Sequence, residues 1–141
     1  MWLIILLMAD PTYYLDINGL SRHGNTDVDY NEENPGFGIT RETVNDGVVK
    51  ALMAGYYKNS FEDPSMYAGG HLAKRFGDNY YADVGLSGGL ITGYEDALTP
   101  MAALMMQLGK KDLGRLKFQY VPKIKSKQPS LLMMNLGIPF K

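Results

Sequence analysis

Three residues of catalytic type fall at the ends of predicted strands, although they are distant from one another in the sequence. His23 ends the first predicted strand, and Asn59 and Ser60 end the third or follow it directly. A serine hydroxyl becomes a nucleophile when a base such as an imidazole takes its proton, so His23 is the candidate base for Ser60. Asp27 and Asp29 follow in the next loop and are candidates for orienting the imidazole. Polar residues are also ordinary constituents of loops, and spacing alone leaves that alternative open.

A basic cluster is expected at the same end of the predicted strands. Lys123, Lys125 and Lys127 alternate in one loop, and Arg22 and Lys58 lie at the ends of nearby strands. Ammonium and guanidinium groups bind phosphate through charge-assisted hydrogen bonds. The cluster is therefore a candidate site for a lipid headgroup, and the alternative is a set of solvated loop charges.

Composition limits the classes of function that the chain can have. Its 141 residues suit one domain, and 14 Lys and Arg against 15 Asp and Glu argue against a nucleic-acid partner held by bulk charge. The chain has no Cys, which excludes disulfides and thiolate metal sites. With only two His residues, neither a metal nor a cofactor is predicted. One of the two, His71, lies in the middle of a predicted strand and is expected to be a hydrogen-bonded interior residue.

The chain repeats a short unit in which a mixed apolar segment is followed by a turn signal, and this pattern predicts strands. The predicted strands span residues 13–23, 35–44, 48–59, 66–76, 80–93, 101–109, 115–122 and 130–140. Their connections alternate between tight hairpin signals, such as Asn45-Asp46-Gly47, and longer loops. The sequence therefore predicts an all-β fold. We expect one domain, 1–141, forming an eight-stranded antiparallel up-and-down barrel with short turns on one rim and longer loops on the other.

Side-chain alternation divides the predicted strands into two unlike faces. Val84, Leu86 and Leu90 share one face of the fifth strand, whereas Ser87 lies on the other. In the last strand, the even-numbered positions of 132–140 are all apolar. An apolar face that points outward indicates a membrane barrel. The same face pointing inward would indicate a soluble, lipocalin-like barrel, and periodicity does not distinguish the two.

The N-terminal segment 1–12 is predicted to stand apart from the strands. It contains the apolar run 2–8, followed by Ala9 as a candidate cleavage position, but it has no basic start. The segment is thus either a degenerate export signal or a plain apolar strand or plug.

Five short motifs follow one another from about residue 20 to the C-terminus. They are Tyr30-Asn31-Glu32, Gly36-Phe37-Gly38, Lys58-Asn59-Ser60, Ala68-Gly69 and Tyr120-Val121-Pro122. In this order the chain resembles the lipid A palmitoyltransferases (PagP) and the looser set of PagP-like barrels of bacteria and phages. The resemblance implies an eight-stranded outer-membrane barrel that transfers a palmitoyl chain from a phospholipid to lipid A, with an interior hydrocarbon pocket.

The resemblance also implies a catalytic His, Asp and Ser at the outer rim. His23 and Ser60 match the His and the Ser, whereas Asn59 stands where the family has its Asp. Asparagine lacks the negative charge that stabilises an imidazolium. Asp27 or Asp29 would have to supply that charge for the site to act as a transferase.

Two functions of different classes remain open on the sequence. The first is a barrel without assured catalysis that binds a lipid or apolar ligand, or serves as a structural or accessory protein, for example with a partner in a phage particle. The second is an outer-membrane lipid acyltransferase or hydrolase acting at the long-loop rim. Lipid or membrane is the expected partner and the outer membrane the expected location, with a virion-associated or soluble protein as the alternative.

Overall fold

The chain forms a closed barrel in the computed structural model, which describes residues 10–24, 33–58, 63–93, 98–122 and 130–140, without the side chains at positions 20, 22, 23, 33, 34 and 130. The strands are β1 (Thr12–Gly24), β2 (Glu33–Asn45), β3 (Val48–Lys58), β4 (Pro64–Gly77), β5 (Tyr80–Ile91), β6 (Thr99–Lys110), β7 (Gly114–Val121) and β8 (Ser130–Phe140). Neighbours in sequence pair antiparallel, and β8 pairs back with β1. The predicted eight-stranded barrel is confirmed, with every strand end within two residues of its expected position. Across these described segments, no helix is long and apolar enough to cross a membrane.

Short turns are confined to one end of the barrel, which we call the short-turn rim. They comprise residues 46–47, 78–79 and 111–113. Asp46 and Gly47 have φ values of 51° and 76°, the two positive values that a type I′ hairpin requires. The opposite end, the long-loop rim, carries the connections 25–32, 59–63, 92–98 and 122–129. The asymmetry predicted from the sequence is therefore confirmed.

The apolar face of the sheet points outward. In β5, Val84 and Leu86 are 52% and 61% exposed, whereas Asp83 and Ser87 on either side of them are buried. The same alternation leaves large aliphatic side chains exposed around the circumference. They include Leu15, Ile17, Ile39, Leu52, Leu72, Leu104, Met106, Leu136 and Ile138. Of the two orientations that periodicity leaves open, the structure has the one with the polar side chains inside.

Outward aromatic side chains cluster toward the two ends of this aliphatic surface. Those near the short-turn rim are Tyr13, Phe76, Tyr80 and Phe140, and those near the long-loop rim are Phe37, Tyr56 and Tyr120. The ring centroids of Tyr13 and Phe140 lie 6.1 Å apart, and those of Phe37 and Tyr56 lie 6.4 Å apart. The outside of the barrel is thus an aliphatic belt between two aromatic girdles.

Glycines on the inner face make room for large side chains from neighbouring strands. Tyr67 on β4 lies over Gly55 on β3 and Gly38 on β2, so that a Cβ at either glycine would collide with the Tyr67 hydroxyl. Tyr81 covers Gly109 in the same way across the β5–β6 pair. An aromatic ring from a neighbouring strand that covers an interior glycine fixes the register of the two paired strands.

Replacing Gly55 with alanine should destabilise the barrel. The added methyl group would meet the Tyr67 ring and the Gly38 backbone, and overpacking of this kind costs about 1–3 kcal/mol. The free energy of unfolding, measured by denaturant titration in detergent micelles, gives the size of the effect. Gly19→Ala is the matched control, because a Cβ at Gly19 has nothing within 4 Å. Equal stability of the two variants would contradict the packing role of Tyr67.

Candidate functional site

The interior toward the short-turn rim is filled by titratable and amide side chains, which we call the charged layer. Its members are Asp16, Glu42, His71, Arg75, Asp83, Gln107, Arg115 and Lys117. They come from six of the eight strands, and each occupies an inward position of the alternation. The layer therefore links distant parts of the wall through side chains that cross the interior.

Glu42 on β2 is the centre of the charged layer. Its Oε2 accepts a hydrogen bond from the Arg115 guanidinium on β7 and lies 3.2 Å from His71 Nε2 on β4. Its Oε1 accepts a bond of 3.0 Å from Arg75 Nη2, and Gln107 Nε2 lies 3.4 Å from Oε2. Both carboxylate oxygens are thus occupied, and the expectation that His71 is a hydrogen-bonded interior residue is confirmed.

Asp83 on β5 is the second acceptor of the layer. Arg75 donates to both of its oxygens, from Nε at 2.8 Å and from Nη2 at 2.9 Å. Gln107 Nε2 adds a further bond of 2.9 Å to Asp83 Oδ2. A two-point contact between guanidinium and carboxylate fixes orientation as well as distance, so Arg75 is held between Asp83 and Glu42.

Two tyrosines cover the arginines on the inside of the barrel. The Arg75 guanidinium carbon lies 3.7 Å from the centroid of the Tyr81 ring, and that of Arg115 lies 3.7 Å from the centroid of the Tyr14 ring. The two hydroxyls are 3.4 Å apart. The guanidinium groups are thus stacked on rings, paired with carboxylates and largely desolvated inside the barrel at this level.

Asp16 on β1 completes the set of buried carboxylates. The hydroxyl of Thr40 donates to Asp16 Oδ2, and Arg115 Nη2 lies 3.8 Å from Oδ1. Three carboxylates therefore face three cationic side chains, Arg75, Arg115 and Lys117, across the described interior.

A cavity of about 100 Å³ lies above the charged layer, in the half of the barrel toward the long-loop rim. Its walls include apolar side chains such as Met53, Ile91, Met101 and Met133, together with the rings of Tyr57 and Tyr67. The two ring centroids are 5.9 Å apart. Few polar groups face this space, and the cavity is thus of the concave, mostly apolar kind that binds small molecules.

Polar side chains also line parts of the cavity. Gln119 Nε2 on β7 donates a hydrogen bond of 2.8 Å to Ser87 Oγ on β5, and both residues line the space. One inward position before Gln119 is Lys117, whose Nζ lies 3.7 Å from Sδ of Met53. Met53 also lines the cavity, so the Lys117 ammonium lies immediately behind a wall residue.

The predicted rim site falls largely outside the described residues. Outside them lie Asp27, Asp29, Asn59, Ser60, Lys123, Lys125 and Lys127. The backbones of Arg22 and His23 pair with Leu132 and Leu131 near the end of β1, and Lys58 ends β3 at the same rim. The catalytic pair His23 and Ser60, the orienting roles of Asn59, Asp27 and Asp29, and the headgroup site all stay predictions.

Sequence reasoning did not single out the charged layer, apart from His71. Its signal was present as polar residues alternating with apolar ones, for instance Asp16 between Leu15 and Ile17 in β1. That alternation places the residues on one face but does not identify their partners. Within the described segments, no group of His, Asp and Glu has the arrangement of a metal site.

Removing the charge of Glu42 should strongly destabilise the protein. In Glu42→Gln the buried Arg115 guanidinium would lose its closest carboxylate, and an uncompensated buried charge costs about 3–5 kcal/mol. Denaturant unfolding in micelles measures the loss. Asp78→Asn, at an exposed turn position, is the control and should change stability by less than about 0.5 kcal/mol. A loss as small as that of the control would show that Glu42 does not hold the layer together.

Comparison with known proteins supports the fold. No protein-family model matches the sequence, and no curated protein matches it. Among solved structures, the barrel is similar to the backbone structure of the Yersinia pestis outer membrane protein Ail in a phospholipid bilayer nanodisc. The TM-score is 0.50 at 12% identity, over 93% of this chain and 100% of the Ail chain. The palmitoyltransferase resemblance is not specifically supported by this likeness, which shows the fold alone: an eight-stranded barrel of the outer-membrane type.

Proposed function

We propose that the protein is a bilayer-spanning barrel whose interior cavity binds a small apolar molecule. The observation that carries the proposal is the outward aliphatic belt between two aromatic girdles, the surface expected of a barrel in lipid. Tilted strands of about nine to eleven residues are enough to cross a bilayer. Seven of the eight strands have 11 to 14 residues and meet this length, whereas β7 has 8. These lengths suit a membrane location, with the outer membrane as the proposed site.

The interior supports binding rather than conduction. The charged layer occupies the barrel toward the short-turn rim, where Tyr14 and Tyr81 cover its arginines. Above it, the cavity of about 100 Å³ is lined mainly by apolar side chains. An apolar cavity of about 150 Å³ accommodates benzene. The cavity here has about two-thirds of that volume, so a ligand with about four carbon atoms is the appropriate size.

Lipid acyl transfer at the long-loop rim is the second hypothesis. It depends on His23 and Ser60, and on the basic residues of the rim, whose side chains are outside the described part except for that of Lys58. A full palmitoyl chain is several times larger than the cavity. Ligand binding is therefore proposed ahead of transferase activity, and a role in a phage particle stays a prediction from the sequence resemblance alone.

The bilayer location predicts that an outward charge near mid-strand is costly. Leu86→Arg would place a guanidinium on the aliphatic belt, where a bilayer imposes about 2–4 kcal/mol. The measurement is the free energy of unfolding in phospholipid vesicles, after folding has been verified by heat-modifiable gel mobility. Leu113→Arg is the control, because Leu113 is exposed in the β6–β7 turn. A wild-type protein that folds and stays monomeric without lipid or detergent would overturn the proposed location.

We expect the cavity to bind 1-butanol saturably, as observed by NMR of protein carrying ¹³C-methyl methionine in nanodiscs. The methyl signals of Met53, Met101 and Met133, which line the cavity, should shift and saturate. Those of Met66 and Met106 face outward and should report only partitioning into lipid.

A variant with a filled cavity gives the matched control for 1-butanol binding. Ala103→Leu adds a side chain to the cavity wall and should abolish the saturable shift. Ala54→Leu adds the same groups to an outward position of β3 and should leave the shift unchanged. Binding that survives the filled cavity would place the alcohol elsewhere and contradict the proposed ligand site.

A further inference from the structure

Lys117 is a buried cation without an ion pair among the described residues. Its side chain is among the largest that are fully buried, and the residue is 2% exposed. Its ammonium contacts Sδ of Met53 at 3.7 Å, and a thioether sulfur is a weak acceptor. None of the ion pairs in the described segments includes Lys117. Burying an ammonium is costly unless an anion compensates it nearby.

Each carboxylate of the charged layer lies closer to another cationic side chain than to Lys117. Glu42 pairs with Arg75 and Arg115, and Asp83 receives both Arg75 and Gln107. Asp16 Oδ2 accepts a hydrogen bond from the Thr40 hydroxyl, and its Oδ1 lies 3.8 Å from Arg115 Nη2 without a hydrogen bond in the described interior. The carboxylates of Asp16 and Glu42 attract Lys117 only from a distance, so its ammonium can donate to a further acceptor.

Because Lys117 lies next to the cavity, a molecule bound in the cavity could supply that acceptor. Met53 separates the ammonium from the open space, since it contacts Nζ and also lines the cavity. A methionine side chain is unbranched and repacks easily, so its movement brings ammonium and cavity into contact. On the same wall, Ser87 Oγ accepts from Gln119, which leaves the Ser87 hydroxyl proton for a second bond to an acceptor.

We propose that the cavity binds a short-chain carboxylate, with its headgroup on Lys117 and its apolar chain between the methionines and tyrosines above. This inference rests on the proposed ligand-binding function and names the class of ligand. The headgroup would point toward the middle of the barrel, and the chain toward the long-loop rim. The carboxylate would pair the one cation of the charged layer that has no ion pair among the described residues.

Three ligands of equal chain length test the proposal on the wild-type protein. Butanoate, 1-butanol and butylammonium are titrated at neutral pH into nanodiscs of zwitterionic phospholipid, with the methyl signals of Met53, Met101 and Met133 as the readout. Butanoate should bind at least about tenfold more tightly than 1-butanol, since a charge-assisted hydrogen bond is stronger than a neutral one. Butylammonium should give no saturable shift, because its charge repels Lys117.

Two lysine variants locate the headgroup. Lys117→Met keeps a straight side chain of similar length and should weaken butanoate binding at least about tenfold while 1-butanol binds as before. Lys74→Met is the matched control, because Lys74 is exposed on the outward face of β4, and it should change neither affinity.

The outcomes separate this inference from the proposed function. Butanoate binding no more tightly than 1-butanol in the wild type would overturn the carboxylate assignment and leave a neutral apolar ligand. Saturation by none of the three ligands would overturn the ligand-binding function together with it. The wild-type comparison tests the carboxylate assignment by itself, so the test holds even where the Lys117→Met protein fails to fold.

Discussion

Glu42 lies in the barrel interior, from which water is largely excluded. Cationic and hydrogen-bonding side chains surround its carboxylate and compensate its negative charge. It joins β2 to Arg75 and His71 on β4, to Gln107 on β6 and to Arg115 on β7. The backbone ladder holds each strand only to its two neighbours. Contacts across the interior therefore connect strands that the ladder does not. A buried ion pair adds little net stability compared with a well-packed apolar core, but loss of one partner is strongly destabilising. Arrangements of the strands that separate these partners are therefore disfavoured, and the charged layer favours the observed one.

The inside and the outside of the wall are consequences of the same alternation. Each strand sends one set of side chains into the interior and the other set to the aliphatic belt. Inward polar side chains need hydrogen-bond partners, and other inward side chains pack against one another. The rings of Tyr67 and Tyr81, for example, pack over glycines. Outward positions carry large apolar side chains, and an extended exposed apolar surface marks a membrane or protein contact. The bilayer proposal and the ligand proposal are thus about the two faces of one sheet.

Much of the fold could be predicted from the sequence because its determinants are local. Asn45-Asp46-Gly47 sets a tight turn through residues adjacent in the chain, and the even-numbered apolar positions of 132–140 define a strand face. The direction of that face could not be predicted, because a period of two is the same for a barrel with its apolar side in or out. The contact of Glu42 with Arg115 joins residues 73 positions apart and depends on the registers of several strands. Sequence spacing alone does not reveal such a contact.

For the candidate site, the same distinction between local and non-local information applies. His71 could be placed inside the barrel from its mid-strand position, but its partner Glu42 lies on β2, two strands away from β4. The alternation could assign Lys117 to a face of the sheet. Its lack of an ion pair among the described residues could not be recognised, because that property depends on which cations the buried carboxylates bind. The rim hypothesis built on His23 and Ser60 came from strand ends and motif order, which are independent of the interior geometry.

The unequal rims also bear on how such a barrel would enter a bilayer. Whichever end crosses first must carry its connections through hydrocarbon, where unsatisfied polar groups are expensive. At one end these connections are residues 46–47, 78–79 and 111–113, and at the other they are 25–32, 59–63, 92–98 and 122–129. For a barrel of this kind the activation barrier would be lower for translocating the end with the shorter connections, and insertion would be vectorial. All molecules added from one side would then have the same orientation, with residues such as Lys58 remaining on the side of addition.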